Sequence, residues 1–219
     1  MELIDLEWWR CADGYELHGM GIESKSGRFE PYRPLSEFPA LFDIFARKPP
    51  TAKGMLSFCN QFGALGSVID SSPPLVRPAK TGELIDRSLE LHAQMRSAVL
   101  FYELDRVPVA VARCNSCGLA KAGIHLREVS GGAIGIALVP GSLIQGLWIQ
   151  FALHIASGNH LFRCEHCGTP FVVGTRTGRR NTSKYCSNAC KVAAFKVRKA
   201  CDLRTQKLIS VGMLRRNEP

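Results

Sequence analysis

No run of apolar residues approaches the ~18 that a membrane-crossing helix needs. The opening stretch, Met1 to Arg10, carries acids and tryptophans where a secretory leader needs a basic start and an apolar run. A cytoplasmic protein with no membrane partner is therefore expected. Sequence signatures of catalysis are equally scarce. There is no phosphate-binding glycine loop, no nucleophile elbow and no HExxH pair. The Asp-His or His-His dipeptide that metal-dependent nucleases set beside their ion is missing too, so an enzyme is the least supported reading. Internal repeats and low-complexity tracts are also absent. Acidic residues are few in one region only. Residues 163–219 hold 13 Lys/Arg against 3 Asp/Glu, a net +10, whereas residues 1–162 hold 15 against 16, a net −1. The whole positive excess of the chain, +9 overall, thus lies in its last quarter. Such asymmetry points to an attached basic module.

What the chain has is cysteine, nine in 219 residues. In a reducing compartment a patterned set binds metal more often than it forms disulfides. Four are patterned: Cys164-Glu165-His166-Cys167 and Cys186-Ser187-Asn188-Ala189-Cys190, a C-x2-C and a C-x3-C separated by eighteen residues. Two short thiolate pairs joined by a loop match a tetrahedral site for one structural Zn2+, because ligands two residues apart share one tight turn. The segment has too few apolar residues to bury four thiols as core. Cys11, Cys59 and Cys201 are isolated and read as small buried hydrophobes. Cys114-Asn115-Ser116-Cys117 is a further CxxC with no second pair nearby. A second zinc there would have to recruit Cys11, Cys59 or His125, so buried or incidental thiols are expected.

The local pattern around the four cysteines is consistent. Gly168 suits the turn after the first pair. Phe171-Val172-Val173 reads as a short strand and residues 174–181 as a loop. Ser187 can cap a helix that puts Cys186 at its entrance and Cys190 one turn inside. A knuckle, a hairpin and a ligand-bearing helix make the treble-clef arrangement.

The stretch FRCEHCGTPFVVG followed by KYCSNACKVAAFKVRK resembles the CGNR-type zinc fingers of bacterial proteins. It is also similar to the short MYM/FCS and gyrase-inhibitor fingers, which share the YCS…C second half. The likeness covers about residues 143–200. It implies metal binding by Cys164, Cys167, Cys186 and Cys190, and binding of either DNA or protein. Where the CGNR type carries Gly-Asn-Arg after the last cysteine, this chain has Lys191-Val192-Ala193.

On a helix at 100° steps, Lys191, Phe195, Arg198 and Lys199 fall within about 100° of one another. Ala189, Ala193, Val197 and Ala200 fall opposite, a small-residue face suited to packing on the zinc hairpin or the main domain. The basic stripe suits phosphate contacts. Lys196 on the same helix and Arg176, Arg179, Arg180 and Lys184 in the preceding loop extend it. Lys207, Arg215 and Arg216 continue it along the tail. A solvated charged face is the bland alternative for such a run.

The first 160 residues read as a mixed α+β domain. Strands and turns are expected over residues 2–34. Helices are expected from Ser36 to Pro49-Pro50, from Thr51 to Gly63 or Gly66, and from Glu83 to Glu103. A loop spans 71–82, a strand covers Val107–Ala112, and a hairpin covers 124–139. An all-round apolar helix capped by Ser142 runs to about 156, the expected centre of the core. His154 on it reads as a core histidine. The expected organisation is an α+β domain over 1–160, a four-cysteine zinc finger with a basic helix over 161–207 and a basic tail over 208–219. The function expected is nucleic-acid binding, DNA first, in bacterial regulation, with an N-terminal domain that senses a ligand, dimerises or meets a protein partner. A structural or protein-interaction finger with an acidic partner is the alternative, and an enzyme using the N-terminal domain is third.

Overall fold

In the computed structural model, the described residues are 6–66, 82–117, 123–129, 133–158, 160–173 and 182–210. The expected loop over 71–81, the arginines 176, 179 and 180, and the tail from 211 lie outside them. The chain has an α+β architecture and divides into two compact units, Met1–Gly158 and Asn159–Pro219. Among the described residues, no helix is long and apolar enough to cross a membrane.

The first unit opens with short antiparallel strands. β1 (Trp8–Cys11) pairs with β4 (Phe29–Tyr32), Trp8 opposite Tyr32. β2 (Tyr15–His18) and β3 (Gly21–Ser24) form a hairpin, Leu17 opposite Ile22. Trp8, Cys11, Tyr15, Ile22, Phe29 and Tyr32 of these strands are buried. The indole of Trp8 donates to the Ala64 carbonyl at 2.9 Å, which satisfies a buried N–H.

The helices follow. α1 (Pro34–Glu37) and α2 (Leu41–Ala46) are separate elements, where the sequence suggested one helix from Ser36. Pro39 lies between them; a proline interior to a helix loses a hydrogen bond and clashes with the preceding turn. α3 (Ala52–Phe62) starts and stops as its residues dictate. Thr51 Oγ1 accepts from the Gly54 N–H at 3.1 Å, and Gly63 ends the helix at φ +82°. α4 (Ile85–Glu103) is shorter than expected at its start, because β5 (Gly82–Leu84) takes those residues onto β3, Glu83 opposite Ile22.

Residues 107–112, expected as a strand, are helical in α5 (Val107–Cys117). The alternating valines imitate a strand period, but Pro108 stands in the first helical turn, where its missing N–H is no loss. Helical spacing then buries Ala110 and Cys114, four residues apart. The expected hairpin forms as β6 (Gly123–Val129) and β7 (Ala133–Val139), Leu126 opposite Ile136.

α6 (Leu143–Ala156) is capped by Ser142, whose Oγ accepts from the Gln145 N–H at 3.3 Å. It is buried almost all round, as its sequence requires. Trp148, Phe151, Phe42, Phe45, Phe58 and Met95 are among the largest fully buried side chains, and the rings of Phe151 and Phe42 lie 5.1 Å apart. Gln150 is buried because it is used: its Oε1 accepts from the Phe42 N–H at 3.1 Å, and its Nε2 donates to the Phe38 carbonyl at 2.8 Å. His154 sits against the rings of Phe42 and Tyr102, a core histidine as expected.

The second unit is small. β8 (His160–Arg163), which the sequence did not suggest, pairs with β9 (Pro170–Val173), Phe162 opposite Phe171. α7 (Asn188–Ser210) follows. Among the described residues, the buried core of this unit is Cys164, Phe171 and Val173, with Tyr185, Cys186 and Cys190 packed against it.

Candidate metal centre

The apolar side chains buried among the second unit's described residues are too few to hold a 61-residue unit together by burial alone. Four cysteines gather at that core: Cys164 is buried, Cys186 and Cys190 are half-buried and Cys167 is exposed. Sγ atoms of Cys164, Cys167, Cys186 and Cys190 all lie within 4.8 Å of one another. Cys167 to Cys186 and Cys186 to Cys190 are both 3.5 Å. A tetrahedron with metal–sulfur bonds of about 2.3 Å has edges of about 3.8 Å. The cluster can therefore hold one metal ion, and its spacing suits zinc.

Each ligand is positioned by local backbone chemistry. Cys164 and Cys167 flank a tight turn closed by the Gly168 N–H donating to the Cys164 carbonyl at 2.9 Å. Gly168 turns the chain at φ +71°, a conformation that favours glycine. The Cys164 N–H donates to the Thr169 carbonyl at 3.1 Å, which closes the β8–β9 end on the knuckle. The Glu165 N–H donates to the Lys184 carbonyl at 3.0 Å and ties the first pair to the approach of the second. Ser187 caps α7: its Oγ accepts from the Cys190 N–H at 3.1 Å. Cys186 thus precedes the helix and Cys190 lies in its first turn, as the spacing predicted.

The thiols are prepared unequally. Burial would raise Cys164, but N–H groups of Cys186, Cys167 and His166 stabilise its thiolate and bring it down to about 6. The Thr169 hydroxyl, 3.2 Å from the sulfur, is the leading cause of a lowered pKa at Cys167. Cys186 is pushed up to about 12 by burial and by its sulfur neighbours. Thiolates this close repel one another, which favours the protonated thiol at Cys186. A bound dication reverses that balance and deprotonates a coordinating thiol outright.

Among the described residues, these four cysteines are the only group of three or more His, Cys, Asp and Glu side chains close enough to share a metal. Cys114 is buried and Cys117 half-buried on α5, with no such partners among the described residues; the His125 side chain lies outside them. Cys11 and Cys59 are buried, as expected of isolated thiols. His166 is in the knuckle turn and is not one of the four.

The cations expected at the surface are found there. Lys184 is exposed and pairs with Glu165 at 3.1 Å. Lys191, Lys196, Arg198 and Lys199 are all exposed on α7. The expected small-residue face behaves differently. Ala193 is half-buried, but Ala189, Val197 and Ala200 are exposed. Among the described residues of α7, Cys190 packs against the cysteine core and Ala193 and Ala194 are half-buried, whereas Phe195 through Ala200 are all exposed. Exposed Val192, Phe195 at 61 % and Val197 at 56 % lie among the cations. Sequence reasoning missed Thr169, whose hydroxyl supports a ligand. A hydroxyl two residues after a C-x2-C pair was the available signal.

No protein-family model matches the chain, and no curated protein matches it.

Proposed function

We propose that the second unit is a zinc finger of treble-clef type that binds nucleic acid, DNA first, and that the chain serves as a DNA-binding regulator of the CGNR-like kind. The observation that carries this reading is the continuity of Cys190 with α7. A ligand-bearing turn fixes the start of a helix that displays Lys191, Lys196, Arg198 and Lys199 to solvent. The +10 net charge of residues 163–219 supplies the long-range attraction to a polyanion. Phosphate contacts of this kind give affinity and register without reading sequence.

The test is binding of duplex DNA measured across a salt series. Affinity falls steeply with salt, and replacing Lys191, Arg198 and Lys199 together by alanine reduces the logarithmic slope by roughly 3. Exposed Val192, Phe195 and Val197 favour a second reading, in which α7 docks on an acidic protein. Failure to bind either DNA or RNA at low salt selects that reading.

A further inference from the structure

A cavity of about 490 Å³ opens where the second cysteine pair leads into α7. Thr182, Ser183, Lys184, Tyr185, Asn188 and Lys191 line it. That volume lies within the range of about 300–1,000 Å³ typical of small-ligand sites and is far more than one phosphate fills. Its chemistry has three parts. Lys184 and Lys191 supply positive charge, and Lys191 makes no ion pair among the described residues. Thr182, Ser183 and Asn188 supply hydroxyl and amide groups. Tyr185 supplies an aromatic surface, seated by its packing against Cys164, Phe171 and Val173. Charge, hydrogen-bonding groups and a ring in one cavity match phosphate, sugar and base.

A second observation lies next along the helix. Phe195 is 61 % exposed. Its neighbours three and four residues away are Lys191, Val192, Arg198 and Lys199, which face it on the helix surface. An aromatic ring surrounded by cations is the arrangement on which unpaired bases stack while their phosphates are neutralised. A duplex keeps its bases stacked inside and cannot use either ring. Lys191 belongs to both places and joins the cavity to Phe195.

We propose that the cavity receives one unpaired nucleotide, with the next base stacked on Phe195, so that the zinc unit prefers single-stranded nucleic acid to duplex. This rests on the nucleic-acid reading above and specifies its ligand. The test uses the zinc-loaded full chain and labelled oligonucleotides of about 20 nucleotides. Fluorescence anisotropy compares a single strand, as DNA and as RNA, with the same sequence annealed to its complement, at one fixed salt concentration. The expected result is a single strand of either sugar bound about tenfold tighter than its duplex. Phe195→Leu, at an exposed position where folding is untouched, narrows that ratio at least threefold by weakening the single strand alone. Tyr185→Leu does the same in protein that retains its metal. Equal or tighter binding of duplex overturns the inference and leaves the nucleic-acid reading standing. So does a ratio unchanged by Phe195→Leu. Binding of neither form at low salt overturns both.

Discussion

Single residues set the most direct expectations. Substituting serine for Cys164, Cys167, Cys186 or Cys190 removes one thiolate from a four-sulfur set, and each variant is expected to lose metal. Metal content and near-ultraviolet circular dichroism of the purified variants check this. In the first unit Glu83 carries a separate consequence. It is buried opposite Ile22, with Oε2 accepting from the Leu65 N–H at 2.8 Å. Burial raises its carboxyl to about 7 from an ordinary 4.5. The folded chain therefore holds a proton there that the unfolded chain has released, and stability falls as pH rises from 4.5 to 7. Glu83→Gln keeps the neutral form and is expected to flatten that decline by an amount on the order of 3 kcal/mol, measured as urea unfolding at pH 5 and pH 8. His92 acts in the opposite sense. Burial lowers its pKa below 6.5, so acid favours the unfolded chain, which takes up the proton more readily. An apolar replacement, His92→Leu, is expected to reduce the loss of stability on acidification.

Elements were legible in the sequence where one local rule decided them. Thr51 and Ser142 announce the starts of α3 and α6, and both side chains accept the expected N–H. Ser142→Ala is expected to cost about 1 kcal/mol, read as a shifted denaturation midpoint. Gly54 in α3 was not legible at all. A Cβ there would stand 2.0 Å from the Pro49 carbonyl oxygen. Gly54→Ala should therefore destabilise by more than loss of a cap, despite the better helix propensity of alanine. β5 escaped notice because Glu83 reads as a polar helix start until its buried carboxylate is seen to serve Leu65. Residues 107–112 read as a strand because Pro108 suits an edge or strand start, yet the same proline suits the first turn of α5, where the valines at 109 and 111 are exposed and Ala110 is buried. The C-terminal helix reversed one expectation. Its alanine and valine face is mostly bare, with Ala189, Val197 and Ala200 exposed and Ala193 half-buried. The clustering of the four cysteines was fully legible, because a metal site demands a stricter spacing than packing does.

At the scale of the whole molecule, two units are held by different physics. Met1–Gly158 buries a large aromatic and aliphatic core around α6, whereas Asn159–Pro219 gathers four cysteines at its core. A strong chelator is therefore expected to unfold the second unit and leave the thermal transition of the first in place, a separation that calorimetry resolves. Everything proposed for the basic helix rests on a metal held by the four cysteines, of which Cys186 precedes α7 and Cys190 lies in its first turn. Metal analysis of the purified, folded chain is the most direct measurement. The account predicts one zinc per chain, lost when Cys167 and Cys190 are replaced together. A folded wild-type chain with a ratio far below one, or a double variant that keeps its zinc, would contradict it.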